Sequence, residues 1–218
     1  MKSSKPNFFI DTNILVDYIL LNDILKEEDK EHFPLYDKLK PSLDLLNLFF
    51  KNQKEIRWCT SFFNLGEMPS VLIRHIILDR MYIKRIPFDY FEKYYSSFIK
   101  QKNFRKELNE ILIKYARFTK KLWFIHTITI SGLEDFSKID RLRLIFRLPL
   151  NDAFIFFTAK KEGGYFVTND KHHFNNPKLK KEYETQIKII SPTQAIKEAK
   201  KLISSHPSKS NKKHKQKQ

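Results

Sequence analysis

The chain has 218 residues, with 41% hydrophobic and 14% aromatic content, only 4 Gly, one Cys and a formal net charge of +16. That length and apolar content suit one domain with a sizeable core, and the lone Cys59 excludes an intramolecular disulfide and a cysteine zinc motif, its natural place being a buried strand. The charge argues for a polyanionic partner, nucleic acid or an anionic membrane surface, through phosphate neutralisation.

No apolar run approaches a membrane span, and Met1-Lys2-Ser3-Ser4-Lys5 leads into the first strand without a signal-type segment, so a cytoplasmic protein with no membrane partner is expected. In chain order, Phe8-Phe9-Ile10 is a short apolar strand that stops at Asp11 and passes at once into an amphipathic helix marked by Ile14-Leu15 and Tyr18-Ile19. Asp11 therefore sits where a strand ends and a helix begins, as a simple N-cap or as a ligand-binding carboxylate. Asp23 to Lys40 reads as a charged loop. A helix follows with Pro41 at its first position, then a buried strand over Ile56–Thr60. Ser61 is the natural cap of a helix running toward Leu78, which Pro69 is expected to kink or split.

Asp79 to Leu122 reads as a helical insertion, clearest over Phe104–Phe118. Its basic residues alternate with Tyr82, Phe91, Tyr94, Tyr95, Phe98 and Phe104, as either a base-stacking surface or core beside a solvated face. Trp123–Ile130 has strand character and Ser131–Phe146 helical character. Leu150-Asn151-Asp152-Ala153 opens a helix closed by Gly163-Gly164, and Tyr165–Thr168 is a strand ended by Asn169-Asp170. Ile187–Ile190 is the last strand, and Ser191-Pro192-Thr193-Gln194 is a capping box before a final helix. Ser204 to Gln218, SSHPSKSNKKHKQKQ, is polar and basic and reads as a disordered tail, solvated or tethering nucleic acid. The order is β-α repeated, an α/β chain with acids at strand ends and helix starts.

Asp11, Glu67, Asp152 and Asp170 recur at edges where consecutive βα units converge. Each alone reads equally as a cap, turn or surface residue. With no Walker lysine or GxGxxG pattern beside them, the chemistry they imply together is a carboxylate cluster holding a hard cation such as Mg²⁺ or Mn²⁺ against substrate phosphate.

On these residues the chain resembles the PIN domain nucleases, of which VapC-type toxins are the compact members. The resemblance is carried by FFIDTNILVDYIL from Phe8 to Leu20, SFFNLGE from Ser61 to Glu67, LNDAFIFFTAKKEGGYFVTNDKHHF from Leu150 to Phe174, and IKIISPTQAI from Ile187 to Ile196. It implies a three-layer PIN-like fold over residues 1–203, a mainly parallel sheet flanked by helices, with 79–122 inserted and 204–218 as the tail. It also implies one metal site of Asp11, Glu67, Asp152 and Asp170, holding one or two Mg²⁺ or Mn²⁺ ions, with Asn13, Thr168 and Asp17 as supporting polar groups. The implied activity is endonucleolytic hydrolysis of RNA with the ribose 3′ oxygen leaving, in either a toxin partnered by a protein antitoxin or an RNA-processing enzyme. A homodimer is compatible with it. The alternatives are a non-catalytic nucleic-acid-binding module and a DNA-directed nuclease.

The chain also departs from the family pattern. Asp170-Lys171-His172-His173-Phe174 has one residue more than the usual Asp-Lys-x-Phe, Pro69 is unexpected two residues after Glu67, and neither Asp23–Lys40 nor Asp79–Leu122 is covered. His172 and His173 read as loop residues or phosphate contacts, since hard cations prefer oxygen.

Overall fold

A computed structural model of the chain describes residues 6–30, 33–122, 126–128, 133–170 and 176–205. Among the described residues, five strands form one parallel sheet in the order β3-β2-β1-β4-β5: β1 Asn7–Ile10, β2 Arg57–Ser61, β3 His126–Ile128, β4 Gly164–Val167 and β5 Ile187–Ile190. In register, Phe8 lies opposite Trp58 on one side and Tyr165 on the other, which makes β1 the central strand. Its side chains are buried, as a parallel strand covered on both faces requires.

The alternation of β1 sends successive rings to opposite layers. Phe8 meets Phe49 of the helix α3 (Tyr36–Lys51) at 5.1 Å between centroids. Phe9 meets Phe166 at 5.9 Å, and Phe166 meets Phe156 of the helix α8 (Leu150–Glu162) at 6.0 Å. The sheet is thus the middle layer of three. The remaining helices are α1 Thr12–Ile19, which runs on as a π turn over Leu20–Ile24, α2 Glu27–Lys30, α4 Phe62–Ile83, α5 Phe91–Phe98, α6 Lys102–Lys121, α7 Leu133–Phe146, α9 Pro177–Tyr183 and α10 Pro192–Ser205. Among the described residues no helix is long and apolar enough to cross a membrane. The final capping box forms as read, Gln194 Oε1 accepting from the Ser191 N–H at 2.9 Å and Ser191 Oγ from the Gln194 N–H at 3.3 Å.

Several local expectations are corrected by tertiary packing. The stretch read as a loop from Asp23 to Lys40 is helical over Leu20–Ile24, Glu27–Lys30 and from Tyr36 onward, because Leu20, Leu21 and Leu39 are buried in the main core. Pro41 lies inside α3 rather than at its start; Asp37, whose carbonyl loses that partner, is exposed to water. Pro69 does not split α4, which is continuous over 22 residues. The carbonyl that Pro69 leaves without an intrahelical donor is that of Leu65, and the Tyr115 hydroxyl of α6 donates to it at 2.8 Å.

Residues 79–122 are helical in pieces, the end of α4, a 3-10 turn over Phe88–Tyr90, α5 and α6, and several of their aromatics turn inward. Phe91, Phe98 and Phe104 join Ile77 and Met81 in a second core cluster, with Tyr94 and Tyr95 packed against it. Phe91, Phe98 and Phe104 thus follow the core alternative, Tyr94 and Tyr95 are half-buried, and Tyr82 is well exposed. Phe118 of α6 belongs to the main core, 5.4 Å from Tyr18 of α1.

Candidate functional site

From β1 the chain builds outward to β2 and β3, then returns to the other side of β1 with β4 and β5. The reversal falls between β1 and β4, and the carboxyl ends of these strands open the crevice where ligands bind in open α/β sheets. Asp11 follows β1 there and Asp170 stands three residues beyond β4.

Asp11 continues the sheet pairing, its N–H donating to Val167 O at 3.1 Å, and it caps α1. Oδ1 accepts from the Thr12 N–H at 2.7 Å, and Oδ2 accepts from the Thr168 hydroxyl at 2.6 Å. The same Thr168 oxygen accepts the Asp170 N–H at 2.9 Å, so one buried threonine ties the first acid to the backbone of the last. Glu67 projects from α4, and its Oε2 accepts from the Thr12 hydroxyl at 3.0 Å. Across the crevice Asn151 Nδ2 lies 3.4 Å from Glu67 Oε1, which brings the first turn of α8, with half-buried Asp152, up to the same carboxylate. Asn13 is half-buried in the first turn of α1.

The start of α4 is anchored under this crevice. Ser61 caps the helix by accepting from the Asn64 N–H, its hydroxyl hydrogen-bonds Asn64 Oδ1, and Asn64 Nδ2 and the Thr60 hydroxyl each donate to Ile10 O at 3.0 Å. The carbonyl just before Asp11 is thus satisfied by two side chains from the neighbouring strand and helix. Thr12, Asn64, Asn151, Asn169 and Ser42 are polar partners that sequence reasoning missed; among these, Asn169 was hinted at by its strand-end position.

Burial pushes the Asp11 carboxyl up to about 6, against the Thr168 and Thr12 hydrogen bonds that favour its charge, and the charges of Asp170 and Glu67 push further in the same direction. These three acids share one electrostatic neighbourhood. Among the described residues, however, no group of three or more His, Cys, Asp or Glu side chains is drawn close enough together to hold an ion. The donor set is nevertheless of the type hard divalent cations take, carboxylate oxygens on separate chain segments. His172 and His173 lie outside the described residues.

Asp17 stands behind the crevice rather than in it. Its Oδ2 accepts from the Ser42 hydroxyl at 2.7 Å and from Asn169 Nδ2 at 3.0 Å, and Asn169 also donates to Ser42 Oγ at 2.9 Å. This network fixes the residue immediately before Asp170. Burial pushes Asp17 up to about 7; the Ser42 and Asn169 hydrogen bonds and the charge of Lys38 oppose it, while Asp11 adds to it.

A raised folded value means that the stability associated with Asp17 is complete below the unfolded value of 3.8 and is lost as pH rises through about 7. Asp17→Asn keeps the shape and an acceptor oxygen without the buried charge, so it should melt above the parent at pH 8. The limit is about 4 kcal/mol at full ionisation, and a rise of roughly 5 °C or more is expected. The gain should shrink toward zero at pH 4. Thermal melts at both pH values check this, and a gain that does not change with pH would mean that the carboxylate does not carry the cost.

Beside the acids, a cleft of about 620 Å³ runs between α4 and α8, lined by Phe62, Phe63, Gly66, Glu67, Arg74 and Asn151 among others. Its volume is in the range of small-ligand sites. No family model, curated protein or solved structure matches the chain.

Proposed function

We propose that the chain is a PIN-type, metal-dependent endoribonuclease whose centre is the crevice at the carboxyl ends of β1 and β4. The observation that supports this best is the hydrogen-bonded line from Asp170 through Thr168 to Asp11, with Thr12 carrying it on to Glu67. Asp11 and Asp170 follow two strands that flank the switch point of a parallel sheet, Glu67 is hydrogen-bonded to Thr12 beside them, and the chain carries a net charge of +16.

Asp11, Glu67, Asp152 and Asp170 are the residues that would hold Mg²⁺ or Mn²⁺, and the bound ion would supply an activated water and charge stabilisation at phosphorus. Thr168 and the Thr12 N–H orient the Asp11 carboxylate and favour its charged form. Thr12 and Asn151 hold the Glu67 carboxylate between α1 and α8. The Asp17–Ser42–Asn169 network holds the chain that presents Asp170. The excess of Lys and Arg attracts the phosphate backbone. A second reading, in which the crevice binds nucleic acid without cutting it, rests on the same surplus of Lys and Arg.

One assay separates the readings. End-labelled single-stranded RNA, the same sequence as DNA, and an RNA duplex are incubated with the protein in Mn²⁺ or in EDTA. Internal cuts in single-stranded RNA that EDTA abolishes are the expected result. Retention of RNA without cuts in either condition supports the binding module, and cutting of DNA in preference to RNA overturns the ribonuclease assignment.

A further inference from the structure

Gly66 is in the interior of α4, and a Cβ built there would meet nothing within 4 Å. Glycine is the poorest helix former after proline, and neither a positive φ nor a close neighbour requires it at this position. What its missing side chain leaves is space, since Gly66 lines the cleft between α4 and α8.

The walls of that cleft are unequal in chemistry. Phe62 and Phe63, in the first turn of α4, are 56% and 40% exposed, the reverse of the buried rings of α5 and α6. Phe154 braces the Phe63 ring by stacking on it at 4.7 Å between centroids and 17° between planes. Glu67 lies on the same face of α4, and Arg74, seven residues on, stands two turns or about 10 Å further along. Arg74 is exposed, yet its guanidinium is steadied 5.3 Å from the Phe91 centroid. The cleft therefore joins an open aromatic wall to a fixed cation, and the acidic crevice borders it at Glu67.

We infer that this cleft seats one nucleotide of a single-stranded RNA beside the acidic crevice, its base on Phe62 and Phe63, its phosphate at Arg74, and Gly66 keeping the room for it. This rests on the nuclease reading. Aromatic faces accept any base, so the seat favours unpaired over paired nucleotides and is tolerant of sequence. A duplex is excluded because its bases are stacked on one another.

The test uses the full chain carrying Asp11→Asn, so that binding is read without turnover, and the anisotropy of fluorescein-labelled single-stranded oligoadenylate and oligouridylate, with DNA and duplex RNA arms. Gly66→Leu fills the cleft and improves helix propensity, and should weaken binding about tenfold or more while melting no lower than its parent. Phe62→Ala, at an exposed position, should do the same. Arg74→Gln should weaken binding and reduce the log–log salt slope by about 0.7, the loss of one phosphate contact on a single strand. Variants that bind like their parent overturn the seat and leave the nuclease reading standing. A parent that binds neither RNA nor DNA removes both, and DNA bound as tightly as RNA overturns the RNA assignment of the seat alone.

Discussion

Asp11→Asn is expected to cut single-stranded RNA at least roughly a hundredfold more slowly than the parent in Mn²⁺, while melting at or above it in EDTA at pH 8. Groups that merely orient metal ligands are worth about 10- to 100-fold, and in the proposed function Asp11 is itself a ligand, whose loss is worth more. Both Asp11 oxygens accept hydrogen bonds, from the Thr12 N–H and the Thr168 hydroxyl. An asparagine keeps the first of these, and its amide can donate to the Thr168 oxygen once that hydroxyl rotates away.

The folded value of Asp11, raised from 3.8 to about 6, places its stability contribution at low pH, complete below 3.8 and lost as pH rises through about 6. At pH 8 the ionised carboxylate thus carries a cost of up to about 3 kcal/mol that the amide does not. Activity and stability should move in opposite directions. A variant that loses both would mark Asp11 as an architectural cap, and one that keeps full cleavage would remove it from the chemistry.

Gly164→Ala should be the most destabilising single-methyl change in the βα units around the site. Both glycines after α8 have positive φ, 68° at Gly163 and 83° at Gly164. At Gly163, with ψ near −177°, the backbone lies in a region only glycine occupies readily, which costs alanine about 1–3 kcal/mol. A Cβ there meets only Gln186 O, at an ordinary 3.6 Å. At Gly164 the same kind of strain is joined by a collision with main chain, the Cβ lying 2.8 Å from Asn7 N and closer still to Asn7 O. Asn7 belongs to the central strand, which cannot withdraw without breaking its pairing with β2 and β4. We expect Gly164→Ala to cost about 4 kcal/mol or more, roughly 10 °C in melting temperature, and Gly163→Ala clearly less. Equal losses would mean that backbone conformation alone, rather than the approach of β4 to β1, makes glycine necessary.

Those two glycines mark how far the sequence could be read. Gly163-Gly164 is legible as a helix stop, because a C-terminal glycine is a local requirement of the helix itself. That the second glycine answers to Asn7 is invisible without the sheet. Pro69 is the same lesson in reverse: local rules predict a broken helix, and the hydroxyl of Tyr115, far along the chain, supplies the missing donor.

By itself the sequence determined the alternation of strands and helices, the caps at Ser61 and Ser191, the buried strand around Cys59, and the positions of Asp11, Asp152 and Asp170 at strand ends and helix starts. These follow from short-range periodicity and from backbone groups that must be satisfied within a few residues. Only the tertiary structure decided that Thr168 joins Asp11 to Asp170, that Asp17 serves Asn169 from behind the crevice, that the rings of α5 turn inward, and that Phe62 and Phe63 remain open beside Glu67. Each of these depends on which surfaces are desolvated against each other. Residues from different elements settle that jointly, as far as 157 positions apart for Thr168 and Asp11, through burial and hydrogen bonding that no local window contains.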